Sequence, residues 1–368
     1  MMDHVEKFLP NRRQLLGAAA ALAGRTRTDA ENAVRTSITD VGNLRVGHFT
    51  DSRRPTGCTV VLFDHATVAG VDVRGGSPGS RETDLLNPIN TVQNINAILL
   101  TGGSAYGLDA AGGVMRYLEE NKRGFVVGSN IVPIVPAAVL FDLSVGDGRI
   151  RPDAQAGYQA CLSALADHPA EGSVGAGAGA TVGHLLGMRS AMKAGIGTAS
   201  ISIGDTGIVV GAIVAVNPFG DVLSRETGHI IAGSRSLDGD AFLDTMLQIQ
   251  NGALLANRRE GPRPGGNTCL GIVATNARLT KSEATKVAQM SHDGLARVIS
   301  PVHTPLDGDT IFAAATGTAS TPADITTIGS VAAEAVARAV ERAVRSATGI
   351  LPGLPAYRDL PWAHETVR

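Results

Sequence analysis

Residues 258–277 read RREGPRPGGNTCLGIVATNA and change character at Asn267-Thr268-Cys269. Upstream is a polar tract rich in Arg, Pro and Gly. Downstream, residues 270–274 form an apolar run short enough for a buried strand. A hydroxyl residue at this seam has two readings. In the first, Thr268 is an ordinary turn residue that opens a strand. In the second it is a nucleophile: its hydroxyl attacks the Asn267 carbonyl carbon, the amide becomes an ester, and water releases the upstream piece. The α-amine thereby exposed has a reference pKa of about 7.7–8.0, so a useful fraction is neutral near pH 7. It can then take the proton of its own hydroxyl. The linker upstream lets the backbone twist at the bond to be cut.

Outward from the seam, Thr280-Lys281-Ser282-Glu283 is a capping box that predicts a helix to about Ile299. A strand is expected at 309–317, and a last helix at 328–347 carrying the stripe Val336, Val340, Val344. Upstream, strands are expected at 44–46, 58–63 and 97–101. Helices are expected to end near Glu120 and to span 154–166 and 240–257. GTASISIG and GIVVGAIVAVN are strands, the second stopping at Asn217-Pro218. Strands and helices interleave, but strands also follow strands directly. That order predicts a layered α/β sandwich over a strictly alternating parallel sheet.

The chain has 368 residues, 43% hydrophobic, 18% charged and 4% aromatic, with net charge −2. It can bury a sizeable core, and it offers neither a general attraction for nucleic acid nor base-stacking platforms. Cys58, Cys161 and Cys269 are widely spaced and form no CxxC, so no disulfide framework or zinc site is expected. Residues 1–36 form an N-terminal extension in which Arg12-Arg13 precedes a short apolar run. The pattern resembles a twin-arginine export signal, and the run is too short for a bilayer span of about 20 residues. The protein is therefore expected to be cytoplasmic, or exported if that signal acts, with no stable membrane insertion.

PVHTPLDGDTIF, residues 301–312, is a second constellation. Asp307 and Asp309 flank Gly308, so in extended backbone both carboxylates project to one side. They could orient an ammonium group, hold a divalent cation, or form a solvated turn. Too few carboxylates are nearby for a closed calcium loop. His303 reads as a turn or core hydrogen-bonding residue.

Residues 266–317, together with SITDVGNLRVGH, VRGGSPGSRETDLL, LLTGGSAYGL and GAGAGATVG, closely resemble the L-aminopeptidase/D-amidase/D-esterase family. That family includes β-aminopeptidases and nylon-oligomer hydrolases. The resemblance runs from Ser37 to about Leu354. It implies a four-layer αββα sandwich of the N-terminal-nucleophile-hydrolase type, related to the ornithine acetyltransferases. The hydrolase domain would occupy 37–368 and be self-cleaved into 1–267 and 268–368. Thr268 matches the family nucleophile, with Asn267 supplying the carbonyl that is cut. Asp307 and Asp309 match the pair that orients the nucleophile and its amine, and Asn217 matches the oxyanion donor. The substrate would be a small peptide or amide, no metal or organic cofactor is required, and a homo-oligomer of two-chain protomers is implied.

This chain departs from its relatives at three places. Cys269 stands where many have Thr or another small residue, His184 where lysine is frequent, and Phe141 where some nylon-oligomer hydrolases have tyrosine. Rival readings are an acyltransferase of the ornithine acetyltransferase type and a non-catalytic small-molecule binding protein. Ser104 in TGGSAYG lacks the glycine a nucleophile elbow needs two residues later and reads as a helix N-cap. GAGAGATVG lacks the ending of a phosphate loop and reads as close backbone packing.

Overall fold

The computed structural model describes residues 36–256, 265–322, 324–350 and 353–363. The paired arginines and the tract 257–264 lie outside the described residues. Among those residues nine strands form one mixed sheet. They are β1 (Leu44–Thr50), β2 (Gly57–Val73), β3 (Ser80–Arg81), β4 (Asn94–Thr101) and β5 (Ala137–Val139). The others are β6 (Ile196–Ser202), β7 (Val209–Ala215), β8 (Leu270–Thr275) and β9 (Thr310–Ala315). The order is β6-β7-β8-β9-β2-β4-β5-β3, with β1 also on β2. Pairs β8–β9 and β4–β5 are parallel and the other pairings antiparallel.

Strand β2 is the fold's hinge. Its first half pairs with β1, its second half with β9, and its register against β4 shifts between Leu62 and Thr67. There the sequence turns to Asp64-His65-Ala66, all exposed, and such an irregularity bends a strand. Side chains alternate across the sheet accordingly. On β4, Ala97 and Leu99 pack toward helices α1 (Ala110–Glu120) and α2 (Ala154–Leu162), while Ile98 and Leu100 face the central core. Helices α3 (Lys281–Val298) and α4 (Ile325–Ser346) cover β6, β7, β9 and the far half of β2. The helix–sheet–sheet–helix layering is thus present.

The seam-side elements follow their sequence signals. Thr280 and Glu283 form the capping box, Glu283 N–H donating to Thr280 Oγ1 at 3.3 Å and Thr280 N–H to the Glu283 carboxylate at 2.7 Å. Helix α4 begins at Ile325, three residues before its expected start at 328, because Asp324 accepts the Thr327 N–H at 2.8 Å and caps it. Val336, Val340 and Val344 are fully buried, each worth about 1.5–3 kcal/mol of transfer free energy.

Three expectations are corrected. The 154–166 helix stops at Leu162, since Leu165 leaves it to exchange backbone hydrogen bonds with Val46. The 240–257 helix is two short pieces, Thr245–Gln250 and Ala253–Ala256, divided at Gly252, whose φ is +86°. Its last residue lies outside the described residues. Ser104 is not an N-cap: Gly103 precedes the 3-10 turn Ser104–Asp109, and Ser104 has φ +53°. Among the described residues no helix is long and apolar enough to cross a membrane.

Candidate active site

Strand register assembles the site. In the antiparallel pair β7–β8, Ala215 stands opposite Leu270, and in the parallel pair β8–β9, Leu270 stands opposite Thr310. Two residues beyond these pairs, Asn217 must face Thr268, and the turn before β9 must flank residues 267–268. The backbone hydrogen bonds obey this extrapolation. Thr268 N–H donates to Asn217 O at 2.7 Å, Gly308 N–H to Asn267 O at 2.9 Å, and Thr310 N–H to Cys269 O at 3.1 Å. Asn217, Asp307, Asp309, Asn267 and Thr268 are all buried and lie together at adjoining strand ends.

The Thr268 hydroxyl donates to the carbonyl oxygen of Asn267. It therefore rests against the peptide group it would have to attack, and the Gly308 N–H meets that same oxygen. An amide N–H so placed stabilises negative charge on the oxygen once the carbonyl becomes tetrahedral. Gly308 has to be glycine, because a Cβ there would stand 2.8 Å from Thr268 Oγ1 and 2.5 Å from Ser77 O. This donor was not legible in the sequence. Neither was the role of VRGGSPG. Arg74 N–H donates to Asp309 O at 3.0 Å and Ser77 N–H to Asp307 O at 2.8 Å. A Cβ on Gly75 would lie 2.2 Å from Asp309 N. The Gly-rich turn is the brace behind the acidic turn, and its paired glycines were the available signal.

Both acids are saturated with donors. Asp307 accepts from Phe219 N–H at 2.9 Å, Thr304 N–H at 3.2 Å and the Thr304 hydroxyl. Asp309 accepts from Cys269 N–H at 2.7 Å, and its second oxygen meets His303 N–H at 3.1 Å and His303 Nδ1 at 2.8 Å. Burial, and then the charge of Asp309, push the Asp307 carboxyl up to about 6.

The Asn217 carboxamide is oriented from both ends. Its oxygen accepts from Thr181 N–H at 2.9 Å, and Nδ2 donates one of its two hydrogens to Phe141 O at 3.2 Å. Thr181 Oγ1 lies 2.9 Å from His184 Nε2 and 3.2 Å from Asn217 Oδ1. His184 Nδ1 faces the Pro218 carbonyl at 3.2 Å, and a carbonyl only accepts. Nδ1 therefore carries the hydrogen, and Nε2 and Asn217 Oδ1 share the single hydroxyl hydrogen of Thr181. Burial holds this ring down at about 4, so it is neutral at pH 7. Thr181, absent from the sequence-level site, links His184 to Asn217. The Cys269 thiol is fully buried, and burial raises it well above the ordinary thiol range, so it stays protonated.

Beside the seam is a cavity of about 390 Å³ lined by Phe141, Asp142, Ser144, Val145, Thr181, His184, Gly187, Met188 and the segment Gly265, Gly266, Asn267. Its carboxylate, Asp142, is committed to Arg54, so the lining presents apolar and neutral groups. Among the described residues no three His, Cys, Asp or Glu side chains are grouped as metal ligands.

Comparison with known proteins bears on the family and the fold. The family model described as Peptidase family S58 matches residues 36–352. The chain is 44% identical over 347 residues to an uncharacterized aminopeptidase of Mycobacterium tuberculosis, covering 88% of this chain and 97% of that one. It is 29% identical over 317 residues to the 6-aminohexanoate-oligomer endohydrolase of Kocuria sp., covering 83% and 85%. Among solved structures it resembles the L-aminopeptidase D-Ala-esterase/amidase of Ochrobactrum anthropi, described as a variant of the Ntn hydrolase fold. There the TM-score is 0.64 at 17% identity, over 90% of this chain and 94% of the other, a likeness of fold.

Proposed function

This chain belongs to peptidase family S58 and is a hydrolase, and from that premise we propose that it cuts itself between Asn267 and Thr268 and then hydrolyses small peptides or amides. One observation carries the reading: the Thr268 hydroxyl bonds to its own preceding carbonyl, whose oxygen is already met by an N–H from Gly308. Cleavage makes Thr268 the first residue of the downstream fragment. Its neutral α-amine takes the hydroxyl proton as Oγ1 attacks the substrate carbonyl carbon, then gives that proton to the leaving amine. Water hydrolyses the resulting acyl-threonine ester. Asp307 and Asp309 hold the amine and hydroxyl in place, and Asn217 faces the oxyanion. The cavity favours an uncharged, largely apolar acyl group against Phe141, Val145 and Met188.

Fragments 1–267 and 268–368 stay associated in this proposal, because the downstream piece contributes β8, β9, α3 and α4 to the core. The family resemblance supports a homo-oligomer, and Arg12-Arg13 supports an exported form. Sedimentation and the mature N-terminus test these two points. The acyltransferase and binding-protein readings receive no support from the relatives. Thr268→Ala is expected to run as one full-length, inactive chain on a denaturing gel where the wild type gives two bands. Two bands from the mutant would contradict self-cleavage.

A further inference from the structure

His303 has φ +57°, a left-handed backbone uncommon for a residue of its size. In that conformation its backbone N–H and its Nδ1 reach one atom, Asp309 Oδ2, at 3.1 and 2.8 Å. The other oxygen of Asp309 takes the N–H of Cys269, the peptide immediately after the proposed nucleophile, at 2.7 Å. The carboxylate is thus clamped between the nucleophile's strand and an imidazole.

A second imidazole stands behind the first. His292 is fully buried and packs edge-on against His303, ring centroids 4.7 Å apart. Its Nε2 lies 3.1 Å from the Asp72 carbonyl oxygen, so Nε2 carries the hydrogen. Burial holds His292 at about 4, neutral at pH 7. The groups facing Asp309 are therefore Asp307, the Cys269 thiol, His303 and the neutral His292. Behind His292 the Asp72 carboxylate is held by Arg74 at 2.7 Å. Among the described residues neither active-site acid has a lysine or arginine partner; the side chain that donates to Asp309 is His303, as the Thr304 hydroxyl donates to Asp307.

We propose that His303 is a positioning residue of the reaction: its Nδ1–H and backbone N–H fix the orientation of Asp309, whose other oxygen holds the Cys269 N–H beside the nucleophile. His303 acts through Asp309 and touches no reacting atom. The proposal rests on the reading of Thr268 as nucleophile.

The test compares His303→Asn, His303→Gly and wild type, with Thr268→Ala assayed in parallel. Asparagine tolerates the left-handed backbone and places an N–H donor where Nδ1 stands, whereas glycine tolerates the backbone and has no donor. The glycine variant is expected to melt near the wild type. Its kcat at pH 7 should fall about 10- to 100-fold at nearly constant KM, the effect of losing a hydrogen bond to a charged group. Asparagine should restore most of kcat. A glycine variant with wild-type kcat overturns the proposal, as does an asparagine variant as impaired as glycine. Should the glycine variant fail to fold, His303→Asp takes its place, since it tolerates the backbone but cannot donate when ionised. An aspartate variant with wild-type kcat, or an asparagine variant as impaired as aspartate, then overturns the proposal. Failure of the underlying reading shows separately, as a cut or active Thr268→Ala chain.

Discussion

Asp142 and Asp307 are both buried, and the protein treats them in opposite ways. Asp142 meets the Arg54 guanidinium, the Thr56 hydroxyl at 2.6 Å and the Gly103 N–H at 2.9 Å, while Arg54 also bonds the Asp142 and Val145 carbonyls. The charges are matched, and the pair is held from both sides. Asp307 has donors but no cation, and its nearest charged neighbour is another acid. A compensated charge under the β4 turn serves the fold. A like-charge pair at the end of β9 is unfavourable for the fold and makes sense where chemistry uses it.

The contrast can be broken in several places. Arg54→Met leaves Asp142 buried without its counter-ion and should cost about 3–5 kcal/mol of stability, seen as a large drop in melting temperature. A small drop would mean that the pair is not the structural element described. Asn217→Ala should lower kcat by about 2.7–4 kcal/mol of transition-state stabilisation, roughly 100- to 1000-fold, beside a drop in melting temperature from leaving the Thr181 N–H and Phe141 carbonyl unpaired. A change confined to KM would remove Asn217 from the oxyanion.

Asp307→Asn sharpens the comparison. Relief of the like-charge pair offsets the lost acceptor for Thr304 N–H, so stability should stay within about 1 kcal/mol while kcat falls at least about tenfold. Loss of stability on the scale expected for Arg54→Met would make the two acids equivalent after all.

The smallest effect is in pH. The Asp307 carboxyl lies near 6, above its ordinary 3.8, so ionising it opposes folding. This group's penalty is fully present above about 6 and disappears as pH falls toward 4. The difference in melting temperature between Asp307→Asn and wild type should therefore become more negative as pH falls from 6 to 4. That sign follows from linkage: a group protonated more readily in the folded chain adds stability as pH falls through its folded pKa. A difference that stays constant with pH would show that Asp307 titrates in its ordinary range.

The legible parts of this molecule were local. The capping box at Thr280, the stripe on α4 and the apolar runs of β7 and β8 declared themselves within a few residues. The breaks did not: Leu165 leaves its helix for a partner more than a hundred positions away, and Gly252 interrupts a pattern that still looks periodic. At the site, the side chains that match family motifs were legible, while the backbone groups were not. Gly308 contributes an N–H, Gly75 an absence of Cβ, and Thr181 a bridge between residues from separate segments. Each acquires meaning only from register across β7, β8 and β9. His303 was read as a hydrogen-bonding turn residue, and only the geometry identifies Asp309 as its partner.

The central claim is that one peptide bond, ahead of Thr268, is exchanged for a free amino end. Intact-mass analysis with N-terminal sequencing of purified, active protein tests it most directly. The expected result is two associated fragments, the smaller starting Thr-Cys-Leu-Gly at residue 268. A fully active preparation consisting of one continuous chain through that position would contradict it.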